Sequence, residues 1–332
     1  MMKKLLCFLM LLWPLFAMAQ TRWSDQTARC FIDRYSNPQD IHWLYGKNSF
    51  SWQAGYVMFA LEHLWEQTNR PDYFDYIRKF VDQHVDEEGN VASFTGKDLD
   101  NFVSGYAVLF MYEQTGEQKY AKAIEKIRRG FDTYPRLENG LFCHSWKIPQ
   151  AWVDGVFMGQ IFMARYAKTM NHPEDFAEVV RQITVCVESC DNGYGLLHHA
   201  WDKKGKSSNV WSEGMGWVAV LLADVFEYLP MDYPGADKVM EALRRMCSGL
   251  KACQDPNTGM WCQVVDRAYA GIVKKAVMNA DGFINLLDCS SIGIKHSYEE
   301  YITQPREIST FAAYGSFIIG TGIVEQLRSE NE

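Results

Sequence analysis

The chain has 332 residues, 48% of them hydrophobic and 14% aromatic, and a formal net charge of −8. That length and apolar content are enough for a large buried core, while the acidic balance argues against a nucleic-acid partner, whose phosphates demand basic surface. An anionic ligand would need a pocket that is locally basic or rich in hydrogen-bond donors.

Residues 1–19 read as a secretory signal peptide. Lys3 and Lys4 precede an apolar run from Leu5 to Phe16, and Ala17-Met18-Ala19 supplies small residues before Gln20. The run is too short to cross a bilayer, and Cys7 lies inside it rather than at a cleavage site, so no membrane anchor is expected. The expectation is export to a periplasm, with residues 20–332 forming a single domain. Without Lys3 and Lys4 the 33 Lys and Arg fall to 31 against 41 Asp and Glu, a net charge of −10. The eight cysteines beyond Cys7 show neither a disulfide framework nor zinc-ligand spacing. Cys186 and Cys190, four apart on a predicted helix, read as small buried hydrophobes, with oxidation of a pair as the alternative in an exported compartment.

An internal repeat sets the architecture. Glu66-Gln67-Thr68-Asn69-Arg70-Pro71-Asp72-Tyr73 returns as Glu113-Gln114-Thr115-Gly116-Glu117-Gln118-Lys119-Tyr120. Each copy follows a strongly apolar helix (57–65; 106–112) and precedes an amphipathic one (73–85; 120–131). The first kind reads as inner, the second as outer. Polar turns with glycine recur after the outer helices, at Glu88-Gly89-Asn90, Asn139-Gly140, Asn192-Gly193 and Thr258-Gly259. Further hairpins are predicted over 152–170 with 173–190 and 214–229 with 234–253. Consecutive helical hairpins of this kind extend as a solenoid or close into an α/α toroid, and the aromatic-rich loops entering the inner helices favour closure. In a closed array those loops converge on one end, bringing Asp100, Asp154, the His198-His199 pair and Trp211 around one cavity.

Several motifs fail on inspection. Gly205-Lys206-Ser207 lacks the earlier glycine of a phosphate loop, Gly193-Tyr194-Gly195 lacks the third glycine of a dinucleotide fingerprint, and no His-Glu-x-x-His is present. What remains is a pair of acids at matching places. Asp100 in Leu99-Asp100-Asn101-Phe102 and Asp154 in Trp152-Val153-Asp154-Gly155 each stand where an inner helix begins. Two carboxylates facing one cavity push their pKa values apart, which suits a general acid and its charged partner. Apolar surroundings would raise Asp154 and keep it protonated. Two independent helix caps explain the same residues. His199 could donate to a sugar or hold the loop, and Trp201, Trp211 and Trp217 could stack on sugar rings or close the loop onto the barrel.

The stretches Ala151-Trp152-Val153-Asp154-Gly155-Val156-Phe157-Met158, Leu196 to Asp202, Trp211-Ser212-Glu213-Gly214-Met215-Gly216-Trp217 and Gln254-Asp255-Pro256-Asn257-Thr258-Gly259-Met260-Trp261 occur in this order. Together they resemble glycosyl hydrolase family 105, the unsaturated rhamnogalacturonyl hydrolases and related glucuronyl hydrolases, close to family 88. The resemblance runs from Trp43 to about Ile323. It implies an all-α (α/α)6 toroid that uses neither metal nor cofactor, acting on oligosaccharides that end in a 4,5-unsaturated uronic acid. In such enzymes a carboxyl group protonates C4, water adds at C5, and the hemiketal collapses to release the sugar. By resemblance, Asp154 matches the catalytic acid/base and Asp100 its partner. His199, Trp201, Trp211, Trp152 and His144 are the substrate-binding candidates. Glu213 stands where many members carry arginine, so the preferred substrate could differ from rhamnogalacturonan.

After Gln263-Val264-Val265-Asp266 the chain goes almost directly to a predicted outer helix over 268–280. About one inner helix of the twelve that a closed toroid requires is thus expected to be missing. A family member that binds sugar without turnover, and a conventional glycosidase on the same fold, are the competing expectations.

Overall fold

The computed structural model describes residues 23–41, 49–257, 259, 261–262, 264–265, 276–278, 284–286, 314–316 and 318–319. The predicted signal peptide and the predicted gap after Asp266 lie outside the described residues.

Four helices carry apolar side chains on every face, α2 (Trp52–Thr68), α4 (Gly105–Thr115), α6 (Val153–Thr169) and α8 (Ser212–Asp224), and the first three are buried over most of their length, whereas α8 leaves Gly216 and Ala223 exposed. A helix without a polar face has to sit inside the array. The helices that alternate with them are α1 (Trp23–Arg34), α3 (Pro71–Asp82), α5 (Gln118–Arg129), α7 (Phe176–Cys190) and α9 (Ala236–Cys253). These bury one stripe each, such as Tyr73, Ile77 and Phe80 on α3 and Tyr120, Ile124 and Ile127 on α5. Consecutive inner helices pack side by side, and each outer helix packs on the inner helix before it. Burying one such Phe or Ile contributes about 1.5 to 3 kcal/mol, so the stripes rather than helix propensity hold the outer layer.

The sequence repeat is a repeat of conformation. Asn69 and Gly116 both end an inner helix in the left-handed region, at φ 51° and 69°. Just before them, the Thr68 and Thr115 hydroxyls each donate to a carbonyl one turn back, of Leu64 and Met111, at 2.7 Å. Outer-layer tyrosines then reach back to an acid of the preceding outer helix: Tyr73 donates to Asp25 at 2.5 Å and Tyr120 to Asp82 at 2.7 Å.

The ends of the array meet. Arg34 Nη1 donates to the Tyr314 hydroxyl at 2.9 Å, and the Tyr56 and Ser316 hydroxyls are 3.2 Å apart. A Cβ on Gly315 would lie 2.7 Å from the Tyr56 ring, so only glycine lets this late segment approach α2 so closely. Along the axis, Tyr56 and Phe59 of α2, Phe157 of α6 and Trp217 of α8 pack against one another. Tyr56 and Trp217 have ring centroids 4.4 Å apart, and Phe157 and Trp217 5.0 Å. These rings fill the barrel about one turn below the starts of α6 and α8.

Strands are few. β1 (Ala151–Trp152), β2 (Ala200–Asp202) and β3 (Gly205–Lys206) form an antiparallel sheet, with Ala151 opposite Trp201 and Trp201 opposite Lys206. β4 (Ala276–Met278) pairs with β5 (Ile284–Leu286), Val277 facing Asn285. This corrects the predicted outer helix over 268–280, since 276–278 are extended. Val277, Ile284 and Leu286 suit strands, and Asn279, Asp281 and Gly282 between them are residue types that favour reversal. Among the described residues Cys186 and Cys190 are both buried free thiols, and no helix is long and apolar enough to cross a membrane.

Candidate active site

Backbone bonds between three loops build one end of the barrel. Leu99 N–H donates to the His144 carbonyl at 3.1 Å, and His144 N–H to the Gln150 carbonyl at 2.7 Å. Val153 N–H donates to the His199 carbonyl and His199 N–H to the Asn209 carbonyl, both at 3.0 Å. The sheet of β1 with β2 thus sets His199 beside the start of α6, where Asp154 projects. Neither acid is a helix cap. Asp154 is the second residue of α6, whose capping position is Trp152, and Asp100 lies in a single 3-10 turn, Leu99–Asn101. The cap of that turn is Asp98, whose carboxylate accepts the Asp100 N–H at 3.2 Å.

Each acid faces an imidazole. Asp154 Oδ1 is 3.6 Å from His199 Nε2, and Asp100 Oδ1 is 3.8 Å from His144 Nε2. His199 is buried, and Asp154 keeps 13% of its side chain open to solvent. The ring of Trp152 stacks on His144 with centroids 3.9 Å apart and a 16° tilt, and its other neighbour is His199 at 5.7 Å. Trp211 lies 4.5 Å beyond His199. A Cβ on Gly155 would stand 3.1 Å from both His144 Nδ1 and Leu99, so glycine is what allows the Asp100 loop to close over α6.

The electrostatics reverse one expectation. Burial raises the Asp154 carboxyl, but the neighbouring imidazoles of His199, 3.6 Å away, and His144 outweigh it and hold the pKa below the ordinary carboxylate value. The apolar residues visible on its own helix are not what Asp154 faces. The carboxyl beside the site whose pKa is raised is Asp98, pushed up to about 6 by burial and then by the charge of Asp100. Asp98, Asp100 and His144 also bring one ligand atom each within 4.8 Å of one another, a spacing that could hold a cation.

Of the predicted residues, Asp100, Asp154, His144, His199, Trp152 and Trp211 come together. Trp201 instead lines a neighbouring groove with Leu137, Ile148, Pro149 and Gln150. Asp98 was missed by sequence reasoning, although an Asp two residues before another is a recognisable turn cap.

Residues 23–269 match the sequence profile of Glycosyl Hydrolase Family 88. The chain belongs to this family. It is a glycoside hydrolase, and its resemblance to family 105, related to family 88, agrees with its structural kin. A family 105 glycoside hydrolase from C. acetobutylicum ATCC 824 superimposes with a TM-score of 0.82 at 23% identity, over 92% of this chain and all of that one. An unsaturated glucuronyl hydrolase from Bacillus sp. GL1 superimposes with a TM-score of 0.58 at 13% identity, over 74% of this chain and 70% of that one. In sequence the chain is 24% identical over 308 residues to the unsaturated rhamnogalacturonyl hydrolase YesR of Bacillus subtilis, covering 85% of each. The (α/α)6 toroid that the resemblance implied is therefore the fold of this glycosidase.

Proposed function

We propose that this glycosidase removes a 4,5-unsaturated uronic acid from the ends of lyase-generated oligosaccharides by hydrating the C4–C5 double bond. The observation that carries this reading is the pairing of Asp154 with His199, and of Asp100 with His144, at one end of the barrel, with Trp152 between the two histidines and Trp211 beside His199. A vinyl ether is electron-rich at C4, so it needs a strong proton donor there and a base for the water that attacks C5. In the free enzyme Asp154 is ionised at neutral pH. The substrate carboxylate brings a like charge into the cleft, which raises the Asp154 pKa and draws a proton onto it at the moment it is needed. Asp154 then gives that proton to C4 as water bonds to C5, and the proton released by the water returns to a carboxylate. The resulting hemiketal opens and the aglycone leaves as an alcohol. Asp100 stays charged and supports positive charge developing at C5.

Incubation with a panel of unsaturated disaccharides should bleach the ultraviolet absorbance of the conjugated double bond. Binding without bleaching across the panel would instead assign the chain as a non-catalytic sugar binder. Hydrolysis of saturated glycosides would assign attack at the anomeric carbon. The leader-like residues 1–19 extend the proposal to an exported enzyme, for which N-terminal sequencing of the mature protein should begin near Gln20.

A further inference from the structure

Beside the cleft lies a groove of about 490 Å³, floored by Leu137, Ile148 and Pro149 and walled by the half-buried ring of Trp201. Lys147, Lys203 and Lys204 stand at its edge, all exposed, and none forms an ion pair with any described residue. Two acids share the rim. Asp202 accepts from Gln150 Nε2 and from the Lys204 N–H, each at 2.7 Å, and its charge also faces Lys203 and Lys204, so the rim sets three lysines against the carboxylates of Asp202 and Glu138. On a chain whose net charge is −8, a rim with more lysines than acids runs against the general field.

The groove and the cleft share a wall. Trp152, stacked on His144, donates its indole N–H to Gln150 Oε1 at 3.3 Å, and Gln150 holds Asp202 on β2 with its other end. A chain leaving the cleft past Trp152 therefore meets Trp201 next. Nearby on the same loop, the half-exposed Trp146 ring has Lys97 5.4 Å over its face.

We infer that this groove binds the part of the substrate remaining beyond the cleaved bond, and that the sugar it takes there carries a carboxylate or sulfate. The inference rests on the proposed reaction and deepens it. A lyase makes its double bond only where a uronate carboxyl acidifies the neighbouring C–H, so a polymer cut repeatedly in this way carries uronates at intervals along its length. Products longer than a disaccharide bring further anionic groups with them. A sugar ring stacks on Trp201, its charged group meets the lysines, and its apolar face covers Ile148 and Pro149.

The test compares an unsaturated disaccharide having a neutral second sugar with a longer unsaturated oligosaccharide having an internal uronate. Three exposed ion pairs of ordinary strength together amount to roughly tenfold. The combined variant Lys147→Ala/Lys203→Ala/Lys204→Ala should lower the preference for the longer acidic substrate, as a ratio of kcat/KM values, by about that factor, mainly through KM. In the unaltered enzyme the same preference should shrink on raising salt from 50 to about 500 mM. An unchanged ratio in the variant overturns the inference while leaving the reaction intact. If the enzyme turns over neither substrate, the proposed reaction fails and the groove is judged by calorimetry with a saturated uronate trisaccharide. Weaker binding by the variant then supports the groove assignment, and equal binding or none overturns it.

Discussion

Arg165 is the side chain whose loss should be felt most, and the effect should depend on pH. It sits in α6 with 4% of its side chain exposed, at the end of the barrel remote from Asp154. Its Nη1 lies 2.7 Å from Glu62 of α2, its Nε and Nη2 grip both oxygens of Glu113, and its guanidinium lies 4.2 Å over the Tyr106 ring. Because the fork is committed to Glu113, Glu62 receives one edge only. Burial outweighs that pairing and pushes the Glu62 carboxyl up to about 7 from 4.5. A folded-state pKa above the unfolded one means the native state holds the proton more tightly. Stability from this group is therefore full below about pH 4.5 and is lost as pH rises through about 7, by about 3 kcal/mol at 1.36 kcal/mol per unit. Arg165→Met removes the partner and leaves the buried carboxylate uncompensated, a change that costs about 3 to 5 kcal/mol where the acid is ionised. Near pH 5, where Glu62 carries its proton with or without Arg165, the cost should be clearly smaller. Urea unfolding followed by tryptophan fluorescence at pH 5 and pH 8 measures both numbers. A loss that is the same at the two pH values, or below about 1 kcal/mol at pH 8, would refute the reasoning. Glu62→Gln in the unaltered background should flatten the slope between them.

Asp154→Asn should leave the urea midpoint near that of the parent and cut turnover of unsaturated substrates by at least about 100-fold, the usual weight of a general acid; a variant with full rate removes the assigned role. Gly155→Ala forces His144 and Leu99 away from α6, so turnover should fall about tenfold with a stability loss of about 1 to 3 kcal/mol, seen by comparing kcat/KM with the urea midpoint. Asp98→Ala takes away the acceptor for the Asp100 N–H and should cost about 1 kcal/mol, whereas Asp98→Asn keeps an acceptor and should recover most of it. Since His199 and His144 hold Asp154 low in the free enzyme, His199→Ala should move the limb of the kcat/KM profile set by loss of the Asp154 proton, its alkaline side, to higher pH; a limb that stays in place counts against the His199 contact.

Much of the fold was legible because the 66–73 and 113–120 stretches encode the same event twice, an inner helix ending in a left-handed residue and an outer one starting at once. The inner class was readable from α2 and α4 for the same reason, namely the lack of a polar face. Arg165 and Glu62 were not anticipated as partners, since each lies inside an apolar helix and they meet only when α2 and α6 are brought together. Asp154 was found, but its ionisation was misjudged. Reading along α6 shows valine, phenylalanine and methionine around it, whereas the groups that set its pKa are His144 and His199, ten residues before and 45 after. Trp201 was expected beside the substrate, next to His199, on the strength of the family resemblance. In the sheet its ring faces the groove with Gln150, a matter of pairing with β1 that one strand's sequence does not reveal.

The aromatic packing of Tyr56, Phe59, Phe157 and Trp217 along the axis makes the toroid a blind vessel. If the proposed reaction holds, a polysaccharide could not pass these rings and would have to present a terminus at the Asp154 end. Each turnover would then end with the freed uronate backing out before another chain end could enter, which would make product inhibition by that small acid a built-in cost of the architecture.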